Sequence, residues 1–221
     1  ASGAASTEMT LRGFAPQTTY HKYEDDYHNH IAFTTDASGG YHYAQDLSKP
    51  HFVFIQPRAS TVFLSASGWS PWSPGTWDSA TMTGTLTQDL TETIQITSNG
   101  ITLEGNGHTI TGSNTGFGVY VYGFSSVIIR NLNIRNFYGG IALSSSGGST
   151  ITGNSFTNNY NGIRLYASSS STLTSNTALN NNNYGINLES SGSSTLTSNT
   201  ANSNNYGISL SNSGGNTLRS N

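Results

Sequence analysis

Apolar residues recur in pairs, two positions apart, along the second half of the chain. Each pair follows a glycine, at positions 118, 140, 162, 185 and 207, so the pattern repeats at intervals of 22 or 23 residues. The pairs are Val119/Val121, Ile141/Leu143, Ile163/Leu165, Ile186/Leu188 and Ile208/Leu210. Because side chains alternate between the two faces of a strand, a spacing of two predicts short strands with one buried face.

A second apolar column predicts another strand in each repeat. It contains Leu103, Ile129, Ile151, Leu173, Leu196 and Leu218. The residue three positions after each of these is leucine once, at Leu132, and asparagine in the other five repeats, at Asn106, Asn154, Asn176, Asn199 and Asn221. If each repeat is one coil, equivalent residues lie about 4.8 Å apart along the coil axis. Interior carboxamides then hydrogen-bond to their neighbours above and below, so the five asparagines are predicted to form a structural ladder.

Three segments carry a family resemblance: NGITLEGNGHTITG (99–112), SSVIIRNLNIRNFYGGIAL (125–143) and STITGNSFTNNYNGIRL (149–165). They resemble the repeats of the NosD-like, carbohydrate-binding-and-sugar-hydrolase superfamily, over residues 82–221. The resemblance implies an all-β fold, a right-handed parallel β-helix of about six coils, in an extracellular or cell-surface setting. It implies no single activity, because the superfamily includes lyases, epimerases, hydrolases and non-enzymatic surface proteins.

Residues 1–80 lack the repeat and predict a separate, small β-rich module. HIAFTTD (30–36), HFVFIQP (51–57) and STVFLSAS (60–67) are typical of short strands between turns. The stretch GWSPWSPGTW (68–77) predicts a connector whose prolines fix an extended path and whose tryptophans cover the first coil. Composition separates the two parts, because residues 1–80 hold both lysines, five of the six histidines and all three tryptophans.

Charge and composition exclude several classes of function. Only 9% of the residues are charged and the formal net charge is −3, so the chain lacks the basic surface of a nucleic-acid-binding protein. There is no cysteine, which removes disulfides and thiolate metal sites. No apolar run approaches the length of about 20 residues that a transmembrane helix needs. We expect neither a nucleic-acid partner nor a transmembrane segment.

Polysaccharide chemistry on such a fold needs an acid–base pair, or a cation held by several carboxylates. Glu104 and Arg130 are predicted to point outward in adjacent coils as an ordinary surface ion pair. Arg164 is predicted to stand without an acidic neighbour, Glu189 to lie at a turn, and His108 to serve a polar turn. The coils are therefore predicted to contain no catalytic residue.

The segment HKYEDDYHNH (21–30) gives the N-terminal module a candidate metal site. His28 and His30 would face the same side of a strand, with Asp25 and Asp26 beside them and His42 in the later stretch YHYAQD (41–46). Imidazole and carboxylate ligands hold zinc or another divalent ion. No other cofactor is expected to be required. A polysaccharide-active enzyme is the alternative to a non-enzymatic function, and it would take its acid and base from Glu24, Asp25, Asp26, His28 or His30.

Exposed aromatic residues predict carbohydrate contacts. The candidates are the outward tyrosines, such as Tyr120 and Tyr122, and the connector residues Trp69 and Trp72, because aromatic rings offer a large apolar face with a polar edge. The tyrosines could instead pack against the turns, and the tryptophans could instead pack on the first coil.

Threonines form two outward files, Thr150/Thr152, Thr172/Thr174 and Thr195/Thr197, and Arg219 interrupts the next rung. This array of hydroxyl and methyl groups is reminiscent of ice-binding β-helices. The alternative is that β-branched threonine simply suits an exposed strand.

The chain stops at Asn221 within a repeat, with no capping helix or charged segment after it. An uncovered coil has unpaired strand edges, which proteins normally block. Either further sequence or another copy of the chain covers this coil, and we favour head-to-tail or lateral assembly into a homo-oligomer or filament. The leading hypothesis is a non-enzymatic structural or adhesive β-helix at a cell or virion surface, self-assembling or in contact with a polysaccharide.

Overall fold

The computed structural model describes residues 6–24, 30–46, 48, 53–56 and 61–221. The chain divides into two compact units, Ala1–Ser60 and Thr61–Asn221. Strands account for 53% of the described residues, which contain no helix. Accordingly, no described segment could cross a bilayer as an apolar helix. The predicted all-β class is confirmed.

The first unit is built from antiparallel strands. They are β1 (Ser6–Leu11), β2 (Thr19–Glu24), β3 (His30–Thr34), β4 (Tyr41–Asp46) and β5 (Val53–Gln56). Strand β1 pairs with β4, and β2 lies between β3 and β5. Phe33 is buried, and its ring stacks on Tyr41 with the ring centroids 3.6 Å apart. Aromatic packing therefore supplies much of the apolar contact in this unit.

The second unit is a solenoid of short strands. They are β6 (Thr61–Ser65), β7 (Gly68–Ser70), β8 (Gly75–Asp78), β9 (Thr83–Leu86), β10 (Thr93–Ile96), β11 (Thr102–Glu104), β12 (Thr109–Thr111), β13 (Phe117–Tyr122), β14 (Ile128–Arg130), β15 (Asn133–Arg135), β16 (Gly139–Ser144), β17 (Thr150–Thr152), β18 (Ser155–Thr157), β19 (Asn161–Tyr166), β20 (Thr172–Thr174), β21 (Thr177–Leu179), β22 (Tyr184–Glu189), β23 (Thr195–Thr197), β24 (Tyr206–Ser211) and β25 (Thr217–Arg219).

Three sheets run along the solenoid. The long-strand sheet has the order β24-β22-β19-β16-β13-β10-β6-β7, and the threonine sheet has the order β25-β23-β20-β17-β14-β11-β9-β8. A third sheet contains β12, β15, β18 and β21. Neighbouring strands come from successive coils and pair in parallel, except at the antiparallel pairs β6–β7 and β8–β9. The predicted right-handed parallel β-helix of about six turns is confirmed.

The stacking begins before residue 82, where the sequence repeat was expected to start. Strand β6 lacks the glycine-apolar phrase, yet it pairs in parallel with β10 and aligns Val62 with Ile94 and Leu64 with Ile96. All four side chains are fully buried. Residues 61–80 therefore belong to the solenoid unit and not to the N-terminal unit.

The core is formed by the apolar pairs that the sequence pattern predicts. Parallel pairing places Val119, Ile141, Ile163 and Ile186 in one column, and each of these side chains is fully buried. The second column is also buried from Leu103 to Leu196, whereas Leu210 and Leu218, in the last coil, are exposed. Burial of such aliphatic side chains contributes about 1.5–3 kcal/mol each, so stacking the coils is the main source of stability in this unit.

Four of the predicted ladder asparagines form a hydrogen-bonded file inside the solenoid. The Nδ2 of Asn154 donates to Oδ1 of Asn176 at 3.1 Å, Asn176 donates to Asn199 at 3.0 Å, and Asn199 donates to Asn221 at 2.9 Å. Asn176 Nδ2 also donates to the carbonyl of Ile151 at 2.8 Å. Each interior carboxamide thus satisfies its polar atoms while it is shielded from water.

Asn106 does not belong to this ladder. It is exposed, has a φ of 51°, and donates its backbone N–H to Glu104 Oε1 at 2.7 Å. A Cβ on the preceding Gly105 would lie 2.5 Å from the Leu132 side chain, so the glycine leaves space for that leucine. The corner of this coil therefore has a different shape, and the file begins at Asn154, which accepts the N–H of Leu132 at 3.0 Å.

A second asparagine file was not anticipated from the sequence. Asn159 Nδ2 donates to Asn181 Oδ1 at 3.1 Å, and Asn181 donates to Asn204 at 3.0 Å. In the sequence, this file corresponds to an asparagine three or four positions before each of the glycines at 162, 185 and 207. Two of the internal corners of these coils are therefore held by the same kind of interaction.

We predict that Asn176→Ala destabilises the solenoid by about 3 kcal/mol, because it leaves buried donors and acceptors of the adjacent coils without partners. For a chain of this size the loss corresponds to a fall of roughly 6–12 °C in Tm. Thermal unfolding monitored by circular dichroism measures it. Asn205→Ala, at an exposed position, is the matched control, and an equal Tm for both variants would contradict a stabilising ladder.

Candidate functional site

A groove of about 400 Å³ lies on the outer face of the long-strand sheet. This size falls within the range of small-ligand sites, about 300–1,000 Å³. We call it the tyrosine groove, and its lining is Tyr138, Tyr160, Asn161, Arg164, Asn183, Tyr184, Asn187, Glu189, Ser209 and Ser211. Strands β19, β22 and β24 and the turns before them supply most of these residues, so hydrogen-bonded backbone fixes their positions.

Two stacked tyrosine pairs flank the groove. The rings of Tyr138 and Tyr160 stack with their centroids 5.1 Å apart and an interplanar angle of 10°. The rings of Tyr184 and Tyr206 stack at 5.2 Å and 30°. The spacing within each pair is close to the distance between neighbouring strands, about 4.8 Å. Stacking between coils therefore restrains four aromatic rings on this face, and Tyr138, Tyr160 and Tyr184 line the groove.

One extra residue separates the two pairs. Successive asparagines of the second file are 22 residues apart from Asn159 to Asn181, but 23 residues apart from Asn181 to Asn204. Tyrosine stands two positions before Gly140 and Gly162 but one position before the next two glycines, and Tyr206 pairs with Tyr184. The tyrosine column is therefore out of register at this coil, and the tyrosine stacking is interrupted between Tyr160 and Tyr184. The sequence carries this shift, but spacing alone does not identify it as a site.

Asparagines occupy the positions that the shift opens. The backbone N–H of Asn182 donates to the carbonyl of Asn159 at 2.8 Å, as that of Tyr160 donates to Phe137 one coil earlier, so the column of Tyr160 continues into Asn182. The N–H of Tyr184 donates to Oδ1 of Asn161 at 3.4 Å. The groove therefore combines aromatic rings with amide groups between the two tyrosine pairs.

Arg164 and Glu189 form an ion pair in the groove, so the expectation that Arg164 has no acidic neighbour is wrong. Arg164 Nη2 donates to Glu189 Oε2 at 3.2 Å. The strand register aligns Arg164 with Asn187, and Glu189 with Tyr166. The arginine thus reaches diagonally across the coils to a residue two positions further along the next strand. Both side chains remain partly exposed, at 36% and 39%.

Glu104 lies on the threonine sheet and is held in its ionised form. Its carboxylate accepts hydrogen bonds from Arg130 Nε at 2.6 Å and from Asn131 Nδ2 at 3.0 Å, as well as from the N–H of Asn106. Burial opposes ionisation, but these hydrogen bonds together outweigh it and lower the pKa of Glu104 below its ordinary value. A general acid needs a raised pKa, so Glu104 is unsuited to that role at neutral pH.

His108 faces the carboxylate of Asp89, which lies 19 residues before it in the chain. Its Nδ1 lies 3.1 Å from Asp89 Oδ1, which also accepts the N–H of Thr109 at 2.9 Å. The hydrogen bond from Thr109, followed by the one to His108, lowers the pKa of Asp89. The pair links neighbouring coils through a turn, in agreement with a polar turn role for His108.

The predicted aromatic candidates lie outside the tyrosine groove. Tyr120 stacks on Phe117 with centroids 5.1 Å apart, and Tyr122 is exposed. Trp69 and Trp72 pack against the hydrophobic core of the solenoid. The indole Nε1 of Trp69 donates to the carbonyl of Thr76 at 2.9 Å, and this contact ties its polar edge to the backbone.

The candidate metal ligands are only partly within the described structure. Asp25, Asp26 and His28 lie outside the described residues, and His30 is the first residue of β3. His42 Nδ1 is hydrogen-bonded to Thr10 Oγ1 at 2.9 Å. Among the described residues, no group of three or more His, Cys, Asp or Glu side chains could hold a metal ion.

The threonine files align as the repeat predicts. Thr150, Thr172, Thr195 and Thr217 are register partners, as are Thr152, Thr174 and Thr197, and the latter file ends at Arg219. Their alternation with buried Ile151, Leu173 and Leu196 leaves two parallel rows of hydroxyl and methyl groups on the outer face of the threonine sheet.

These features define a parallel β-helix protein with a polar, aromatic groove on its outer surface. The sequence profile of the family described as periplasmic copper-binding protein (NosD) matches residues 58–221, well over half of the chain, and the chain belongs to this family. No curated protein and no solved structure matches the chain. The periplasm lies outside the cytoplasm, which agrees in this broad sense with the predicted extracellular or cell-surface location.

The residues of the matched segment do not fit a copper site. Copper in proteins is held by imidazole, thiolate and thioether ligands. Within residues 58–221 the sequence supplies one histidine, His108, one methionine, Met82, and no cysteine. The family description names copper, whereas this chain lacks the set of ligands that would hold it in the coils.

We predict that Glu104→Gln lowers the free energy of unfolding at pH 7 by about 1 kcal/mol, because the amide cannot replace the charged hydrogen bonds. The folded-state pKa of Glu104 lies below its ordinary value of 4.5. Its contribution is therefore present above pH 4.5 and is lost as the pH falls through the folded-state pKa.

Denaturant unfolding at a series of pH values measures the difference between Glu104→Gln and the parent chain. We expect the difference to shrink as the pH falls below 4.5. The exposed Glu8, changed to Gln, is the matched control. A constant difference at all pH values would contradict the assignment.

Proposed function

We propose that this chain is a non-enzymatic, extracytoplasmic β-helix that binds a polysaccharide in the tyrosine groove. The observation that carries the proposal is the combination of stacked tyrosine rings with amides, hydroxyls and one ion pair in a single groove. Sugars present apolar ring faces edged by hydroxyl groups. Aromatic rings complement the apolar faces, and the polar side chains complement the hydroxyls.

The charges of the groove support binding without cleavage. Glycoside hydrolysis uses two carboxyl groups about 5–10 Å apart on either side of the scissile bond. The lining contains a single carboxylate, Glu189, and it is paired with Arg164. No second acid is present among the lining residues to act as its partner. The groove is therefore proposed to hold its ligand and not to cut it.

The scaffold also favours binding of a chain-like ligand. Side chains on hydrogen-bonded strands are positioned more rigidly than side chains on free loops. The groove follows the direction in which coils stack, because its residues come from β19, β22 and β24 and the turns that precede them. A polymer lying along this direction would meet similar groups in successive coils.

We predict that Tyr160→Ala and Tyr184→Ala each weaken polysaccharide binding about tenfold, which is the effect of losing one aromatic contact of about 1.4 kcal/mol. A glycan array identifies the ligand, and isothermal titration calorimetry measures the affinity. Tyr122→Ala is the matched control, since Tyr122 is an exposed tyrosine on the same sheet that does not line the groove.

Three results would contradict this proposal. They are binding that survives both groove substitutions, binding that depends on Tyr122 instead, and release of reducing sugar ends during incubation. The last result would favour the enzymatic alternative. Light scattering on the same samples tests the separate expectation of a homo-oligomer or filament.

The aligned threonine rows favour a second candidate function, contact with ice. The rows repeat with the strand spacing of about 4.8 Å and place hydroxyl and methyl groups on a regular surface. Thermal hysteresis measures this activity. Its absence at high protein concentration would eliminate ice binding and leave the rows as exposed strand residues.

A further inference from the structure

We infer that the ligand of the tyrosine groove is an uncharged saccharide segment, one without carboxylate, sulfate or free amino groups. This inference rests on the proposed function and names the class of ligand that the groove selects. The residues that decide the class are Arg164 and Glu189, the two charged residues of the lining.

The groove has no net charge. Its lining carries one guanidinium and one carboxylate, joined at 3.2 Å. After Asn136 the chain contains one further charged residue, Arg219, and it lies on β25 in the threonine sheet. The charges near the groove therefore give no long-range attraction for an anionic or a cationic polymer.

The ion pair works against charged sugars at short range as well. A uronate carboxylate that approaches Arg164 also approaches Glu189, because the two groups are in direct contact. Repulsion by Glu189 then offsets attraction by Arg164. The guanidinium of Arg164 also lies over the Tyr166 ring, with 5.5 Å between its central carbon and the ring centroid. This contact further restrains the cation. A protonated amino sugar is attracted by Glu189 but repelled by Arg164, so the two effects offset each other again.

Neutral hydroxyl groups suit the same pair. Arginine has five N–H donors and a carboxylate has about four acceptor positions, so the contact between Arg164 and Glu189 leaves groups on both residues for a ligand. A hydroxyl accepts from the guanidinium, and its neighbour donates to the carboxylate. Charge-assisted hydrogen bonds of this kind are stronger than those between neutral groups. The pair therefore recognises a diol without requiring a ligand charge.

The length of the groove indicates an oligosaccharide segment and not a single sugar ring. Its lining extends from Tyr138, before β16, to Ser209 and Ser211 on β24. This distance covers three strand spacings, or about 14 Å along the coil axis. Neutral hexoses and N-acetylated hexoses, linked in a chain, meet both the charge and the length requirements.

The test compares neutral and uronic-acid oligosaccharides of equal length by isothermal titration calorimetry with the full chain. We expect the parent protein to bind a neutral oligosaccharide at least tenfold more tightly than the uronate. Glu189→Gln removes the repulsive carboxylate, and we expect it to raise uronate affinity at least fivefold, with a gain that diminishes at high salt. Arg164→Gln removes the attractive cation, so we expect it to lower uronate affinity below that of the parent protein.

Glu8→Gln is the matched control for Glu189→Gln. It changes the net charge by the same amount but lies on β1 in the N-terminal unit. We expect it to leave both affinities unchanged. Equal Tm values for the variants and the parent protein confirm that the charge changes leave the fold intact.

The outcomes separate this inference from the proposed function. Tighter binding of the uronate by the parent protein would overturn the inference and leave polysaccharide binding in place. An unchanged uronate affinity in Glu189→Gln would also overturn it, because the ion pair would then not select the ligand. Binding of neither oligosaccharide, together with no binding on the glycan array, would overturn the proposed function and the inference with it.

Discussion

Register between successive coils is the constraint on which the whole solenoid depends. Parallel backbone hydrogen bonds place each residue about 4.8 Å from its equivalent in the next coil, so the interior consists of columns of similar side chains. Aliphatic columns exclude water. A buried asparagine would normally be costly, but in register its amide donates to the next asparagine and to a backbone carbonyl, as Asn176 does with Asn199 and Ile151. A polar interior column is thereby made compatible with burial.

The same register organises the outer surface, where it allows variation. An inward residue must pack against its neighbours and satisfy its polar atoms there, whereas an outward residue needs only to tolerate solvent. One inserted residue between Asn181 and Gly185 leaves the second asparagine file unbroken, because Asn181 still donates to Asn204. On the outside it places Tyr184 out of register with Tyr160, and Tyr206 pairs with Tyr184 in the next coil. The groove between Tyr160 and Tyr184 is thus a consequence of a change that the core absorbs.

Sequence pattern predicted the features that follow from period alone. These are the apolar columns, the parallel coils and the file that begins at Asn154. It failed where a contact depends on side-chain size or reach. Asn106 was assigned to the ladder because it has the right spacing, but the contact of Gly105 with Leu132 reshapes that corner. Arg164 was expected to stand alone because its register partner is Asn187, whereas its long side chain reaches Glu189 diagonally. The groove requires these side-chain positions in addition to the register, and the spacing alone does not give them.

Membership of the NosD family accounts for the coils but not for the chemistry of the groove. The matched residues, 58–221, include all the features that build the solenoid, such as the apolar columns and the asparagine files. Copper binding would require histidine, methionine or cysteine side chains gathered on the surface, and residues 58–221 carry one histidine and one methionine. Tyrosine, asparagine and a neutral ion pair occupy the groove instead. Because the core fixes the fold and leaves the outer columns free, members of one such family can share every coil and still bind chemically different ligands.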